Sequence, residues 1–469
     1  MKTLAKLITL VVAVTMLVAC GTPATPTPAN TAIPPTPVPP TATPVPPTAA
    51  PEPVTITYAD WNAGTPDSNS LVRQMAAAYM ETHPWVTIEF VDMSGEGNWR
   101  EHLTAYAAQG KLPDVMMLDD GPSCIMNGWC ADLTSLVQND ADWANVAPSI
   151  KSVMTYNGKV RYLPVAYFLE GYWVNKDLFE AANLDAPEYG ISPDDFFAAV
   201  QSLQNLPKGI LGMDEQEFIV GWYPHSQDTA MGWFSYDGAK MNYNSTVFKD
   251  ALAKGLEMKP YTWQGLSDAD KTNFKSAGPW ELFLKQETGV RWDGSWTMGD
   301  IIKNATFNWD FMGYPGGFQS LGVDIFGISA STTHPEAAYD FAKWMTFSSA
   351  GYAKQFELAK AAGSAPKMPL SMDAASLALY KTYIDKPGIN AALDNLNGSI
   401  LEALAKFVPG YIQARWEGKP GIDIGTDKDV NMWYMFNAAM GGAIKYEDFS
   451  AQLETFANQK LTDAAAAMP

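Results

Sequence analysis

Val54-Thr-Ile-Thr-Tyr-Ala-Asp-Trp61 is a β-rich, alternating run, and the elements downstream of it decide the fold. A polar loop, Asn62-Ala-Gly-Thr-Pro-Asp67, leads to Ser68, a helix-capping residue type. The apolar stripe Leu71, Val72, Met75 and Tyr79 predicts a helix ending near His83-Pro84. Val86 to Val91 alternates again, with Val86, Ile88 and Phe90 on one face, and predicts a second strand. A helix is expected from Asn98 to Gln109, stopped by Gly110 at the position where helices turn left-handed. Asp114 to Leu118 reads as a third, apolar strand, closed by Asp119-Asp120-Gly121. Strand, helix, strand, helix, strand is a parallel α/β unit. Ligands of such sheets lie beyond the carboxyl ends of the strands, which places Trp61, Asp119 and Asp120 on one rim.

Upstream of this unit the chain carries an address. Lys2 and Lys6 flank the start of an apolar run, Leu7 to Ala19, which ends in Leu17-Val-Ala-Cys20. A basic start, a short apolar stretch and small residues before a cut site are the signature of a secretory signal. The run falls short of the roughly 20 apolar residues of a spanning helix. Leu-Val-Ala-Cys resembles the lipobox of bacterial lipoproteins. That resemblance implies residues 1–20 as signal peptide and a lipid on Cys20, and it holds the protein at the outer face of the cytoplasmic membrane. The next stretch, 21–53, is a linker: Thr22 to Pro53 holds 13 prolines and 8 threonines in 32 residues, with only Ile33, Val38 and Val45 as large apolar side chains. It cannot bury enough surface to fold, and proline favours extended polyproline II or an O-glycosylated stalk.

Residues 54–469 are too many for one ordinary core, so two domains are expected. A formal charge of −20 argues against nucleic acid or an anionic membrane surface as partner. With Cys20 assigned to a lipid, Cys124 and Cys130 remain as an even pair closing a short loop. Outside the membrane such a pair can form a disulfide; zinc is the alternative, without a CxxC or a nearby histidine to support it. The oxygen-rich run Asp423 to Asn431 lacks the spacing of a calcium loop, and no metal or cofactor is expected. Aromatic residues make up 12% of the chain and include 16 tryptophans. Most of them will pack cores, but tryptophan in loops also suits sugars, whose C–H faces it covers while polar neighbours meet the hydroxyls.

Five further segments share an order. They are Leu103-Thr-Ala-Tyr-Ala-Ala-Gln-Gly-Lys-Leu-Pro-Asp-Val115, Asn157-Gly-Lys-Val-Arg-Tyr-Leu-Pro-Val165 and Val174-Asn-Lys-Asp-Leu-Phe-Glu-Ala-Ala-Asn-Leu184. Thr288-Gly-Val-Arg-Trp-Asp-Gly-Ser-Trp296 comes fourth, and then Gly316-Gly317 through Gly327-Ile-Ser329 to His334-Pro-Glu-Ala-Ala-Tyr-Asp-Phe-Ala-Lys-Trp-Met345. In this order they resemble family 1 extracellular solute-binding proteins, the receptors of ABC importers to which maltose-binding protein belongs. Val174 stands where that family usually has tyrosine.

The resemblance implies an α/β, two-lobe, periplasmic-binding-protein-like fold of type II, with a ligand cleft between lobes joined by hinge strands. Carried onto this chain it predicts one lobe from 54–168 plus 322–378 and another from 169–321 plus 379–469. The expected crossovers lie near Val165–Leu169, near Gly322–Asp324 and at a loosely placed third position. The implied ligand is a carbohydrate, an oligosaccharide in view of the aromatics; a polyol, a glycerol-phosphodiester or a peptide are the alternatives. Five arginines in the whole chain, Arg73, Arg100, Arg161, Arg291 and Arg415, disfavour a phosphorylated ligand. The other expected partners are permease subunits and the membrane, through Cys20, with the chain itself a monomer.

Candidate ligand contacts are Trp61 and Trp99 at the first rim, Asp119 and Asp120 as hydroxyl acceptors, and Asp293 and Trp296 on the Gly-Ser-Trp turn. Trp433 at the start of a late helix, and Trp222 with Tyr223 in Gly221-Trp-Tyr-Pro224, match stretches that face sugar in relatives. Glu170 and Trp173 sit beside the first crossover, Glu170 either as a hydroxyl acceptor or as an exposed carboxylate. A secreted glycoside hydrolase is the competing class. The chain has no HExxH, GxSxG or P-loop, and His83, His102, His225 and His334 are scattered, so a binding protein rather than an enzyme is expected.

Overall fold

A computed structural model describes residues 52–469; the expected signal sequence, Cys20 and nearly all of the proline-rich linker lie outside them. The strands are β1 (Val54–Ala59), β2 (Val86–Phe90), β3 (Val115–Leu118), β4 (Thr155–Tyr156), β5 (Lys159–Val160) and β6 (Leu163–Asn175). They continue with β7 (Leu211–Met213), β8 (Thr288–Gly294), β9 (Trp309–Gly313), β10 (Ser320–Ile328) and β11 (Ile400–Leu401). No helix among the described residues is long and apolar enough to cross a membrane.

The opening unit folds as its pattern predicts. β1 pairs in parallel with β2 and with β3. The helix Leu71–Thr82 turns Val72, Met75, Ala76 and Tyr79 inward. Its cap is Ser70, which accepts from the Arg73 N–H, and not the expected Ser68. The Ser68 hydroxyl is drawn instead to the Ala63 carbonyl, 3.0 Å away. The helix Trp99–Ala108 starts with a reciprocal capping box between Asn98 and Glu101 and is followed by Gly110 at φ 64°.

Nine strands form one mixed sheet in the order β2-β1-β3-β10-β6-β8-β7, with β11 against β10 and β9 against β6. β6 is the long member: its 13 residues reach about 40 Å at the rise of a strand. Its first part pairs with β10, and from Glu170 on it pairs with β8. Leu169 lies opposite Leu321, Phe168 opposite Gly322 and Ala166 opposite Asp324, so the segments expected as the first two crossovers are hydrogen-bonded to each other. β11 adds Ile400 and Leu401 beside Ser320 and Leu321.

Two large hydrophobic cores flank this shared sheet. The first gathers Tyr58, Phe326, Phe341 and their neighbours, with the Tyr58 ring edge-on to Phe341 at 5.1 Å. It runs on through Trp173, Trp309 and Phe311 and reaches Leu396. The second begins with Tyr172 and Val174 on β6, takes in Trp222, Trp233 and Tyr314, and resumes at Ile400. Neighbouring residues of β6 thus serve different cores, as the alternation of a strand requires. Cys124 and Cys130 are bonded, with their Cα atoms 5.5 Å apart, and tie the helix Gly121–Met126 to the segment beside Ser329.

Candidate functional site

Where β6 and β10 run together, Ala166, Phe168 and Glu170 alternate onto one face, opposite Asp324, Gly322 and Ser320. Phe168 is the half-buried centre of this floor. On one side of it lies a cavity of about 270 Å³ that includes Trp61, Asn62, Ala166, Phe168, Asp324 and Lys367 in its wall. On the other lies a cavity of about 190 Å³ containing Ser295, Trp296 and Pro366. Ala166, Phe168 and Lys367 belong to both, so the two spaces adjoin.

Trp61 and Trp296 are the exposed aromatics here, at 37% and 49%. Trp61 leans edge-on against Trp99, 5.4 Å between ring centres, and Trp99 is fixed by its indole N–H donating to the Met117 carbonyl at 2.8 Å. Trp296 meets Phe168 edge-on at 5.7 Å. Its ring folds back over Gly294, where a Cβ would fall about 2.1 Å from a ring carbon, so a side chain at 294 would displace the ring. Burying such rings against neighbours on one side leaves the other face free for an apolar surface.

Asp119 and Asp120 end β3 as expected, but their charges are already engaged. Arg100 reaches Asp119 at 3.3 Å and Asp120 at 3.1 Å. Asp120 also caps the helix Gly121–Met126, accepting from the Ser123 N–H and hydroxyl.

The acidic groups of the second half are held differently. Asp214, Glu215, Gln216 and Glu217 follow β7, and Asp293 ends β8. Asp293 is paired with Arg291 and accepts from the Gly294 N–H, while burial still raises its pKa. Burial lifts Asp214 well above the usual carboxylate range, with Glu215 adding to it. Glu217 is pushed up to about 7 by burial and by Glu215, against the pull of Arg415. Arg415 is 2% exposed and lies over Phe234, Trp433 and Trp416, at 3.3, 4.5 and 4.6 Å from their ring centres. Trp433 is half-buried beside this arginine, whose charge also acts on Glu217 and Glu402.

Glu170 corrects the expectation of an exposed carboxylate: it is 2% exposed, because β6 carries it between β10 and β8. Ser320 donates to it at 2.6 Å, and the hydroxyl of Tyr314 lies 3.0 Å from Ser320. The Trp292 indole donates to Tyr314 at 2.9 Å, and Phe218 stacks flat on Trp292. Burial, then Glu402, raise the Glu170 pKa. Trp173, beside it, is wholly in the first core.

Of the nine candidates, Trp61 and Trp296 line these two cavities, and Trp222 and Tyr223 pack elsewhere. Trp222 is fully buried, its indole donating to Tyr172 at 3.1 Å and its ring stacked against Tyr314. Tyr223 turns toward Phe197 and Lys254 on the outer helices. The physical reason is that both sit inside the helix Ile219–Gln227, while the loop at the strand end is Asp214 to Phe218. Phe168, Lys367, Glu217, Glu402 and Arg415 carry no signal in the sequence that marks them as site residues.

Residues 62–352 match the family described as bacterial extracellular solute-binding protein. The chain belongs to this family. An uncharacterized ABC transporter extracellular-binding protein of Pyrococcus horikoshii is 24% identical over 311 residues; the match covers 62% of this chain and spans 66% of that relative's length. The fold matches that of an ABC substrate-binding protein from Listeria monocytogenes in complex with cycloalternan, at a TM-score of 0.64, 18% identity and coverage of 88% and 100% of the two chains. It also matches an ABC transporter solute-binding protein from Thermotoga lettingae bound with alpha-D-tagatose, at 0.62, 16% identity and 87% and 100%. These solute-binding proteins share the two-lobe architecture, and the two cores about one sheet are its form in this chain.

Proposed function

We propose that this protein is the extracytoplasmic receptor of an ABC importer, tethered by a lipid on Cys20, and that it captures a carbohydrate of more than one ring between its lobes. The observation that carries this reading is the pair of exposed tryptophans, Trp61 and Trp296, each lining one of two adjoining cavities that share Phe168. Flat rings cover sugar C–H faces, and carboxylates accept pairs of hydroxyls. Glu217 and Trp433 join Asp119, Asp120 and Asp293 as polar and stacking partners. Trp222 and Tyr223 leave the set.

In this reading the lobe boundaries follow the two cores. The third crossover is assigned to β11 at Ile400–Leu401, since residues through Leu396 feed the first core and residues from Ile400 the second. A ligand touching both lobes favours the closed state by its differential affinity, so capture and closure are one equilibrium.

The test is a thermal-shift screen of the full chain against mono- and oligosaccharides, polyols and peptides, with chromatography of the mixtures. A ligand specific for the native state adds RT ln(1 + [L]/Kd), about 2.7 kcal/mol at a hundredfold excess over Kd. A shift confined to one sugar class without new products supports the receptor. Shorter sugar products would overturn it in favour of a hydrolase.

A further inference from the structure

The cavity beside Trp61 has a wall that a sugar ring does not use well. One part of its lining is Leu71, Val72 and Met75 of the first helix with Met345, none with a polar group to offer a hydroxyl, while Asn62, Asp324 and Lys367 line the rest. Hydroxyls moved into such surroundings lose their water without compensation. A further polar group lines the chamber beside the apolar residues. Gln355, on the helix Ser349–Ala361, is 5% exposed, and neither its amide oxygen nor its amide nitrogen has a hydrogen-bond partner. A buried amide open at both ends is destabilising on its own and is satisfied by water or by an incoming group.

Resting on the carbohydrate reading above, we propose that this chamber is a subsite for an aromatic substituent of the captured sugar, a ring bearing one hydroxyl or carbonyl that bonds Gln355. The volume of about 270 Å³ agrees with this. An apolar cavity of about 150 Å³ already holds benzene, so the chamber takes an aryl ring with a small polar substituent and little more. Ala166, Phe168 and Lys367 line both this chamber and the Trp296 cavity. One molecule can therefore set its sugar against Trp296 and its aryl group behind Trp61. A sugar lacking the substituent leaves the Gln355 amide unsatisfied, which makes the chamber a discriminator between substituted and plain sugars.

The experiment uses the full chain and two probes that need no sugar, phenol and toluene, titrated by ligand-observed NMR. Wild-type protein is expected to bind both and to prefer phenol. Val72→Trp, which fills the chamber, is expected to abolish both. Gln355→Leu is expected to weaken phenol roughly tenfold, the loss of one hydrogen bond, while toluene binds as well or better. Replacing an unpaired amide by an apolar isostere leaves the fold intact, so this variant keeps the test valid even if Val72→Trp is unstable. Equal loss of phenol and toluene in Gln355→Leu, or no probe binding to folded wild type, overturns the subsite. Failure of every sugar in the thermal-shift screen while phenol still binds overturns the carbohydrate reading and leaves the chamber standing.

Discussion

The two sides of the floor handle charge in opposite ways. On the first side Asp119 and Asp120 share one arginine, and Asp120 caps a helix, so the carboxylates are satisfied before any ligand arrives. On the second side burial raises the pKa values of Asp214, Glu215, Glu217 and Asp293, even though Asp293 is paired with Arg291 and Asp214 accepts from the Trp292 N–H. Taking a carboxylate out of water is costly unless hydrogen bonds replace the water. The first side is held by an ion pair and a helix cap, whereas burial dominates the second, where on the proposed reading sugar hydroxyls act as donors.

The tryptophans divide the same way, and removing them gives the largest contrast. Trp222→Ala is expected to lower stability by about 3–5 kcal/mol in a denaturant titration, because a fully buried indole leaves a large void. Trp296→Ala, at a half-exposed ring, is expected to weaken ligand binding by about 1–3 kcal/mol while the unfolding midpoint barely moves. Equal stability losses would erase the distinction between core and cleft. Next in size, reducing the Cys124–Cys130 bond or replacing both by Ser should cost about 2 kcal/mol, the chain-entropy value for so short a loop, measured without and with reductant. Asp120→Ala should cost about 1 kcal/mol of stability through its lost cap, an effect with no counterpart at Glu217.

A pH dependence separates the two sides further. Glu217 is raised to about 7, so it is largely ionised at pH 8 and largely protonated at pH 6. If the ionised form accepts hydroxyls, affinity falls as the pH drops from 8 to 6, by up to about tenfold per unit below the pKa. The folded-state value lies above that of an ordinary glutamate. Its contribution to stability therefore runs the other way: the unliganded protein loses stability as pH rises from the ordinary value through 7. Glu217→Gln should flatten both curves, as read by titration calorimetry and thermal melts at matched pH values.

The first side is legible in the sequence because its signals are local. β1 to β3 alternate cleanly, Asn98 and Glu101 mark a helix start, and the strand-end rule points at Trp61 and Asp120. The same rule applies to Asp214 to Glu217, but β7 is only three residues long with Gly212 in its middle, too short to show a period of two. Trp222 and Tyr223 stand out in the sequence instead, yet their aromatic character is equally that of a core. Arg415 lies in a wide helical turn, Gln413–Glu417, and Glu402 follows the two-residue β11. Neither has a periodic neighbour, and both reach the floor only through tertiary packing. The third crossover is hard to place from sequence for the same reason. Gln355, between Lys354 and Glu357 on a helix, reads as a surface residue; only the packing around it makes it an unpaired amide.

Calorimetric titration of the best-stabilising sugar into wild-type protein, Trp61→Ala, Trp296→Ala and the double variant decides whether the two tryptophans hold the ligand. One site is expected in the wild type, with about a tenfold or greater loss in each single variant, a further loss in the double, and unchanged melting of the unliganded proteins. Undiminished affinity in the double variant, or a wild-type protein that binds no sugar, would contradict a carbohydrate held between Trp61 and Trp296.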